Sequence, residues 1–307
     1  MILPDFPTFV PIALEHQAEI TRRIAGFPPY SDHTFAGLWC WNPERSQAAA
    51  APALSLLHGN LVISLADYFT HAPGLTFHGQ SNIAETLACL FEYLAQNPHY
   101  TSWLRLIPQH NLQAQPLPDG YVLTEDRDNF DYIYDTAELA AMRGSKNQAH
   151  RNFCNRFVKQ YRWHARCLDL QSSADADAVK SVLSIWAGNK NGVGIAADMD
   201  INVLHNLTMA LDRIPILVVG IYVDGCLRAY TINELQHNGY ATNLLEHADT
   251  QYTGIFRILK QFTCAELRDR GYRYWNHQQD GGVPGLRKSK ESFHPVFYLK
   301  KYQISIT

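Results

Sequence analysis

The apolar positions of the second half of the chain change period in a fixed order. Pro215–Val223 is rich in β-branched residues and reads as a strand. Asp224-Gly225 follows, and Asp-Gly between apolar runs signals a two-residue hairpin, because both turn positions need φ > 0. Cys226–Leu235 is then the return strand. His237-Asn238-Gly239 turns the chain again into a third strand, Tyr240–His247. After Asp249–Gly254 the period becomes helical, with Ile255, Ile258, Leu259, Phe262, Ala265 and Leu267 on one face and Gly271 as a C-cap. Tyr272–His277 predicts a strand. Val283–Phe293 predicts a short helix stopped by Pro295, and a last strand starts at Val296.

The first half repeats this order more loosely. Thr34–Trp41, Ala53–Leu57, Leu61–Ala66 and Trp103–Ile107 read as strands, His58-Gly59-Asn60 as a tight turn, and Asn82–Gln96 as an amphipathic helix. Helical segments open both copies: Ile12–Ile24 in the first, Asp175–Lys190 and Asp200–Arg213 in the second. Two copies of one element order predict a duplicated domain, residues 1–165 and 166–307. The first copy ends in a basic helix, Gln148–Tyr161, with Phe153, Phe157 and Tyr161 at i, i+4 spacing. The fold class expected is mixed α+β, each domain a mostly antiparallel sheet flanked by helices.

Composition narrows the class. The 307 residues are 46% hydrophobic and 18% charged, which excludes disordered and collagen-like chains and suits two domains. No apolar run reaches ~18 residues, so no integral membrane segment is expected. Met1–Pro7 lacks the basic stretch and apolar core of a signal peptide. Six scattered cysteines, without close pairs, fit reduced thiols and a cytoplasmic protein. The net charge of −3 conceals a split: residues 1–150 balance at −8 and residues 151–307 at +5. The positive charge concentrates in the basic helix, the helix after Gly254 and Arg287–Lys290, which favours an anionic partner. No histidine or cysteine pair stands at ligand spacing, so no metal is expected. Nucleophile-elbow and Walker signatures are absent as well.

A three-strand meander feeding a helix and a further strand is similar to the core order of the GNAT acyltransferases. That resemblance implies splayed strands at Tyr240–His247 and Tyr272–His277. It also implies a phosphate-binding loop at Asp249–Gly254, where Gln251-Tyr-Thr-Gly254 keeps one of the usual glycines. Sharper likeness lies in Tyr132-Ile-Tyr134-Asp135, Glu138-Leu139 and Gly144-Ser-Lys146, in Arg151-Asn152, and in Asn276-His-Gln-Gln-Asp280-Gly281-Gly-Val-Pro-Gly285-Leu286-Arg287-Lys288-Ser-Lys290. Over roughly residues 30 to 300 the chain resembles bacterial proteins similar to the C-terminal domain of phosphatidylglycerol lysyltransferase. Those proteins resemble tandem GNAT folds, as do the Fem-type transferases that use aminoacyl-tRNA. The family commonly has Glu-Lys where this chain has Glu246-His247. It commonly has Arg-Glu after the motif asparagine, where this chain has His277-Gln278.

The resemblance implies transfer of an aminoacyl group from aminoacyl-tRNA, or an acyl group from acyl-CoA, to an amine or hydroxyl acceptor, with no tightly bound cofactor. Acyl transfer to an amine needs a proton acceptor and a stabilised oxyanion. Glu246 and Asp280 are the candidate carboxylates. Glu246 is read equally as half of an ion pair, and Asp280 equally as a helix cap or the partner of Arg287. Arg151, Asn152, Gly254, Asn276, Arg287 and Lys290 are the candidate donor-binding residues. The altered dipeptides sustain an alternative, a non-catalytic protein that binds an anionic small molecule or a protein partner.

Overall fold

The computed structural model describes residues 3–41, 51–67, 70–189 and 194–307. The chain forms two compact units. One holds residues 1–131, 279–287 and 298–307; the other holds 132–278 and 288–297.

The first unit is built on a sheet of β1 (Val10–Pro11), β2 (Ala53–Leu57), β3 (Asn60–Ala66), β4 (Pro73–His78), β5 (Leu104–Pro108), β14 (Lys301–Ile306) and β6 (Tyr121–Glu125), in that spatial order. Its pairings are antiparallel except β4 with β5, which meet in parallel at Leu75 and Leu104. The β2–β3 turn is the one expected, with His58 and Gly59 both at positive φ. Helices α1 (Gln17–Ile24), α2 (Phe35–Cys40) and α3 (Ile83–Gln96) complete the unit. The apolar face of α3 (Ile83, Leu87, Leu90, Phe91, Leu94) packs with Val62, Leu75, Phe77, Leu104, Ile107 and Ile304.

Beyond Leu75 the β4 edge is closed from within. Asn111 Nδ2 donates to Phe77 O at 2.7 Å, and Asn111 Oδ1 accepts from Gly79 N at 3.4 Å. Thr34–Trp41, expected as a strand, is the buried helix α2. A short, wholly apolar run has no periodicity to tell strand from helix. Thr34 caps the helix by accepting from Gly37 N at 3.0 Å, and a Cβ at Gly37 would strike Ser31 O.

The second unit is built on a sheet of β13 (Phe297–Leu299), β7 (Asp131–Asp135), β12 (Tyr274–Asn276), β11 (Tyr240–Ala248), β10 (Cys226–Leu235), β9 (Ile216–Val223) and β8 (Trp163–Leu168). The meander β9–β10–β11 is antiparallel as expected, and Asp224-Gly225 makes its first turn at positive φ. β11 and β12 are parallel and pair only from Tyr240–Thr242 to Tyr274–Asn276. Each sheet thus carries the GNAT order, an antiparallel run followed by one parallel pair that parts. Helices α4 (Thr136–Ala141), α5 (Gln148–Gln160), α6 (Ser173–Asn189), α7 (Gly194–Thr208) and α8 (Ile255–Asp269) belong to this unit, while α9 (Pro284–Glu291) contributes residues to both. The expected helix end at Lys190 lies outside the described residues.

The units do not follow the sequential division at 165/166. β7 and α5, counted with the first copy in the sequence, lie in the second unit, and β14 from the C-terminus lies between β5 and β6 of the first. Strand pairing is a long-range choice, and the order of elements along the chain does not reveal it.

Candidate active site

Helix α8 presents Ile255, Ile258, Leu259, Thr263, Cys264 and Leu267 to the core, and Lys260 falls on that same buried face. Its ammonium cannot be left unpaired there. Glu246, on β11, meets it: Lys260 Nζ donates to Oε1 at 2.7 Å and to Oε2 at 2.8 Å. Lys260 also donates to His277 Nε2 at 2.6 Å, just past the end of β12. The rings of Trp275 and Phe293 lie 5.1 and 5.3 Å from Nζ, so the charge is also held by cation–π contact. Lys260 and Glu246 side chains retain 7% and 11% of their exposure. Burial by itself would raise the Glu246 carboxyl; the adjacent Lys260 and His277 together outweigh it and hold the group at about 2. His277 is pushed down to about 3 by burial and then by Lys260, so it is neutral at physiological pH.

The surrounding backbone is fixed by side chains. Lys290 Nζ donates to His277 O at 2.6 Å and Gln278 O at 3.2 Å, and Tyr134 OH donates to Lys290 O at 2.7 Å. Gln278, at φ +56, receives its hold from Asn276 Oδ1 and donates its own amide to Asn243 O. That last bond caps β11 where its pairing with β12 stops. On the other edge of β11 the register to β10 slips at Ile232/Asn233, leaving Leu244 as the extra residue of a β-bulge. A bulge frees one backbone position from the ladder beside the parting strands.

Each residue singled out in the sequence has a definite place. Glu246 is in this buried cluster, and its ion-pair reading is realised by a lysine. Asp280, in the first unit, is fully buried and accepts from Arg287 Nε at 3.0 Å and Nη2 at 2.8 Å, from Arg127 Nη1 at 3.2 Å and from Gly282 N at 2.9 Å. Arg287 is therefore spent on Asp280 and, at 2.6 Å, Asp128. Asn276 and Lys290 are buried and shape the Gln278 turn. Arg151 donates to Met142 O and Gly144 O, both at 2.6 Å, closing the end of α4. Asn152 is exposed on α5.

Gly254 is buried at the start of α8 with φ +97, and a Cβ there would lie 2.9 Å from Phe153 O of α5. Helix α5 thus covers the end of α8 where the resemblance put a phosphate. Within the preceding loop Asp249 is buried, paired with Arg228 at 3.7 Å, and accepts from Gln251 N. A carboxylate in that loop opposes an anion. The outer face of α5 is different. Asn152, Asn155, Arg156, Lys159 and Gln160, at helical spacing, are exposed and line one open groove of amides and cations. Sequence reading missed Lys260 and His277, because a lone lysine in an amphipathic helix and a lone histidine after a strand carry no spacing signal.

Residues 28–305 match the family described as phosphatidylglycerol lysyltransferase, C-terminal. The chain belongs to this family. It is similar to a conserved Bacteroides thetaiotaomicron protein of unknown function, at 21% identity over all of both chains and a TM-score of 0.81. It is similar to the C-terminal domain of a putative lysylphosphatidylglycerol synthetase from Agrobacterium fabrum, at 12% identity over 95% of this chain and 92% of that one, TM-score 0.61. The likeness to L-PGS from Bacillus licheniformis has a TM-score of 0.54 at 17% identity, covering 80% of this chain and 81% of that one. These likenesses are of fold. An uncharacterised protein of Mycoplasmoides gallisepticum is 22% identical over 198 residues, 61% of this chain and 59% of its own length. The chain thus spans about three fifths of that curated relative. No helix among the described residues is long and apolar enough to cross a membrane.

Proposed function

We propose that this family member is an aminoacyltransferase that moves an aminoacyl group from aminoacyl-tRNA to an amine or hydroxyl acceptor in the second unit. The observation that carries the reading is the pairing of an open amide-and-cation face on α5 with a buried α8 terminus. A polyanion lies naturally along the first, while at the second the close approach of Phe153 O and the buried Asp249 carboxylate disfavour the pyrophosphate of acyl-CoA. Lysyl transfer in the family description suits the same donor class. Glu246, with both oxygens taken by Lys260, is assigned with it to holding His277 in place. At about 2 the carboxylate is a weak base. The acceptor's proton therefore passes to the departing ribose oxygen as the new C–N or C–O bond forms and the ester C–O bond breaks. Asp280, with both oxygens occupied, is assigned to its loop.

The test is binding of aminoacyl-tRNA to the purified chain across a salt series. Binding is expected to weaken with salt, and the double variant R156A/K159A to lower the slope of log affinity against log salt by about two. Absence of binding at low salt sinks the reading, and acetyl-CoA bound as tightly as tRNA sinks the donor preference. The sealed Glu246–Lys260 pair favours one second reading, a binding protein without turnover. Tight tRNA binding with no loss of the aminoacyl ester in the presence of amine acceptors selects it.

A further inference from the structure

The contacts of Lys260 decide where the His277 proton sits. An ammonium only donates, so the imidazole nitrogen 2.6 Å from Nζ accepts, and that nitrogen is Nε2. Glu246 Oε2 lies farther from Nε2, at 3.3 Å, and already takes a Lys260 proton. The neutral ring therefore carries its hydrogen on Nδ1. That atom is buried and has no hydrogen-bond partner in the structure. The ring of Trp275 is near, edge to face at 4.6 Å between centroids, and Tyr134 stands at 5.9 Å. An aromatic face is a second-order partner for an N–H donor, whereas a missing hydrogen bond on a buried donor costs about 1–3 kcal/mol.

A donor kept unsatisfied, in a neutral ring locked by a buried ion pair and beside the parting strands, is preorganised for an oxygen that arrives with the substrate. Resting on the aminoacyl-transfer reading above, we propose that His277 Nδ1–H donates to the carbonyl oxygen of the transferred aminoacyl group and to the oxyanion that forms when the acceptor adds to it. Lys260 is then the positioning residue, because it sets the tautomer. The charge changes balance: the oxyanion's electron pair returns to rebuild the C=O bond as the ribose oxygen leaves with the acceptor's proton, and His277 neither gains nor loses a proton overall. The histidine gives one directed, uncharged donor.

The test uses the full chain with ¹⁵N-labelled histidine and a panel of aminoacyl amides of 3′-amino-3′-deoxyadenosine, lysyl among them, as stable stand-ins for the ester. In the free protein His277 is expected as the Nδ1–H tautomer, and K260M is expected to turn it to Nε2–H. A bound amide is expected to move the Nδ1–H proton downfield. H277F, once shown to be folded by circular dichroism, is expected to bind that amide about tenfold more weakly, which corresponds to about 1.4 kcal/mol; H277N, which restores a donor, recovers part of the loss. An Nε2–H tautomer in the wild-type protein overturns the proposal. So does an amide that binds while leaving Nδ1–H unmoved, an outcome that spares the transferase reading. If no amide of the panel binds, the transferase reading falls and the inference with it.

Discussion

Lys260 is a charge on the wrong face of an amphipathic helix, and its partners explain why it survives there. Two carboxylate oxygens, one imidazole nitrogen and two aromatic rings surround Nζ. Removing one member of a buried pair strands the other without compensation. K260M is therefore expected to destabilise the protein by about 3–5 kcal/mol, while E246Q/K260M recovers most of that loss. Urea denaturation of the two variants checks it, and a K260M protein as stable as wild type would show that Glu246 is solvated. None of this was legible from residue type. Glu246 was legible as a candidate because it ends a strand in a recognised motif, but the identity of its partner depended on which helix turn faces it.

At the scale of elements, α5 lies against the start of α8 through Phe153 and Phe157, and this contact requires Gly254. Its φ of +97 suits only glycine, and the nearest obstacle to a side chain is backbone, Phe153 O. G254A is expected to lower stability by about 1–3 kcal/mol, because both the left-handed conformation and the 2.9 Å approach penalise a methyl group. A thermal melt measures it; no loss would mean that α5 stands off α8. The contact is further tied by Arg257, which lies 4.0 Å over the Phe153 ring and donates to His150 Nδ1 at 3.2 Å. His150 in turn donates from Nε2 to Ser292 O. The basic helix itself was plain in the sequence, as was its aromatic stripe. Phe157 is wholly buried as such a stripe requires, while Arg151, expected to meet an anion, closes the end of α4.

Over the whole molecule the buried histidines set the response to acid. His33 and His277 are both held at about 3, chiefly by burial, and His78 is held well below its ordinary value for the same reason. In the unfolded chain each titrates near 6.5. Between those values the unfolded state binds more protons, so stability is fully present above about pH 6.5 and declines as pH falls toward 3. From pH 7 to pH 5 the expected loss is roughly 2 kcal/mol for each such histidine. Glu246 adds nothing in that window, because its own contribution is lost only as pH falls from its unfolded value near 4.5 through about 2. Urea melts at both pH values measure the slope. The variant H33Q/H277Q is expected to flatten it, and an unaltered slope would place the proton uptake elsewhere.

Local patterning determined what short-range physics controls. The meander, its Asp224-Gly225 turn, the helix after Gly254 and the mixed α+β class follow from period, turn chemistry and caps, all set within a few residues. The family motif carried the fold, and the Asp280–Arg287 pair followed from two opposite charges on one short segment. Only the tertiary structure decided the rest. Thr34–Trp41 became a helix because a uniformly apolar run takes its conformation from what it packs against. β7 and β14 left the units that chain order suggested, because strand pairing is settled by which edges meet. The buried charged cluster was likewise a tertiary outcome. Glu246, Lys260 and His277 come from a strand, a helix and a loop, and the proton on His277 is assigned by the lysine that the fold sets beside it.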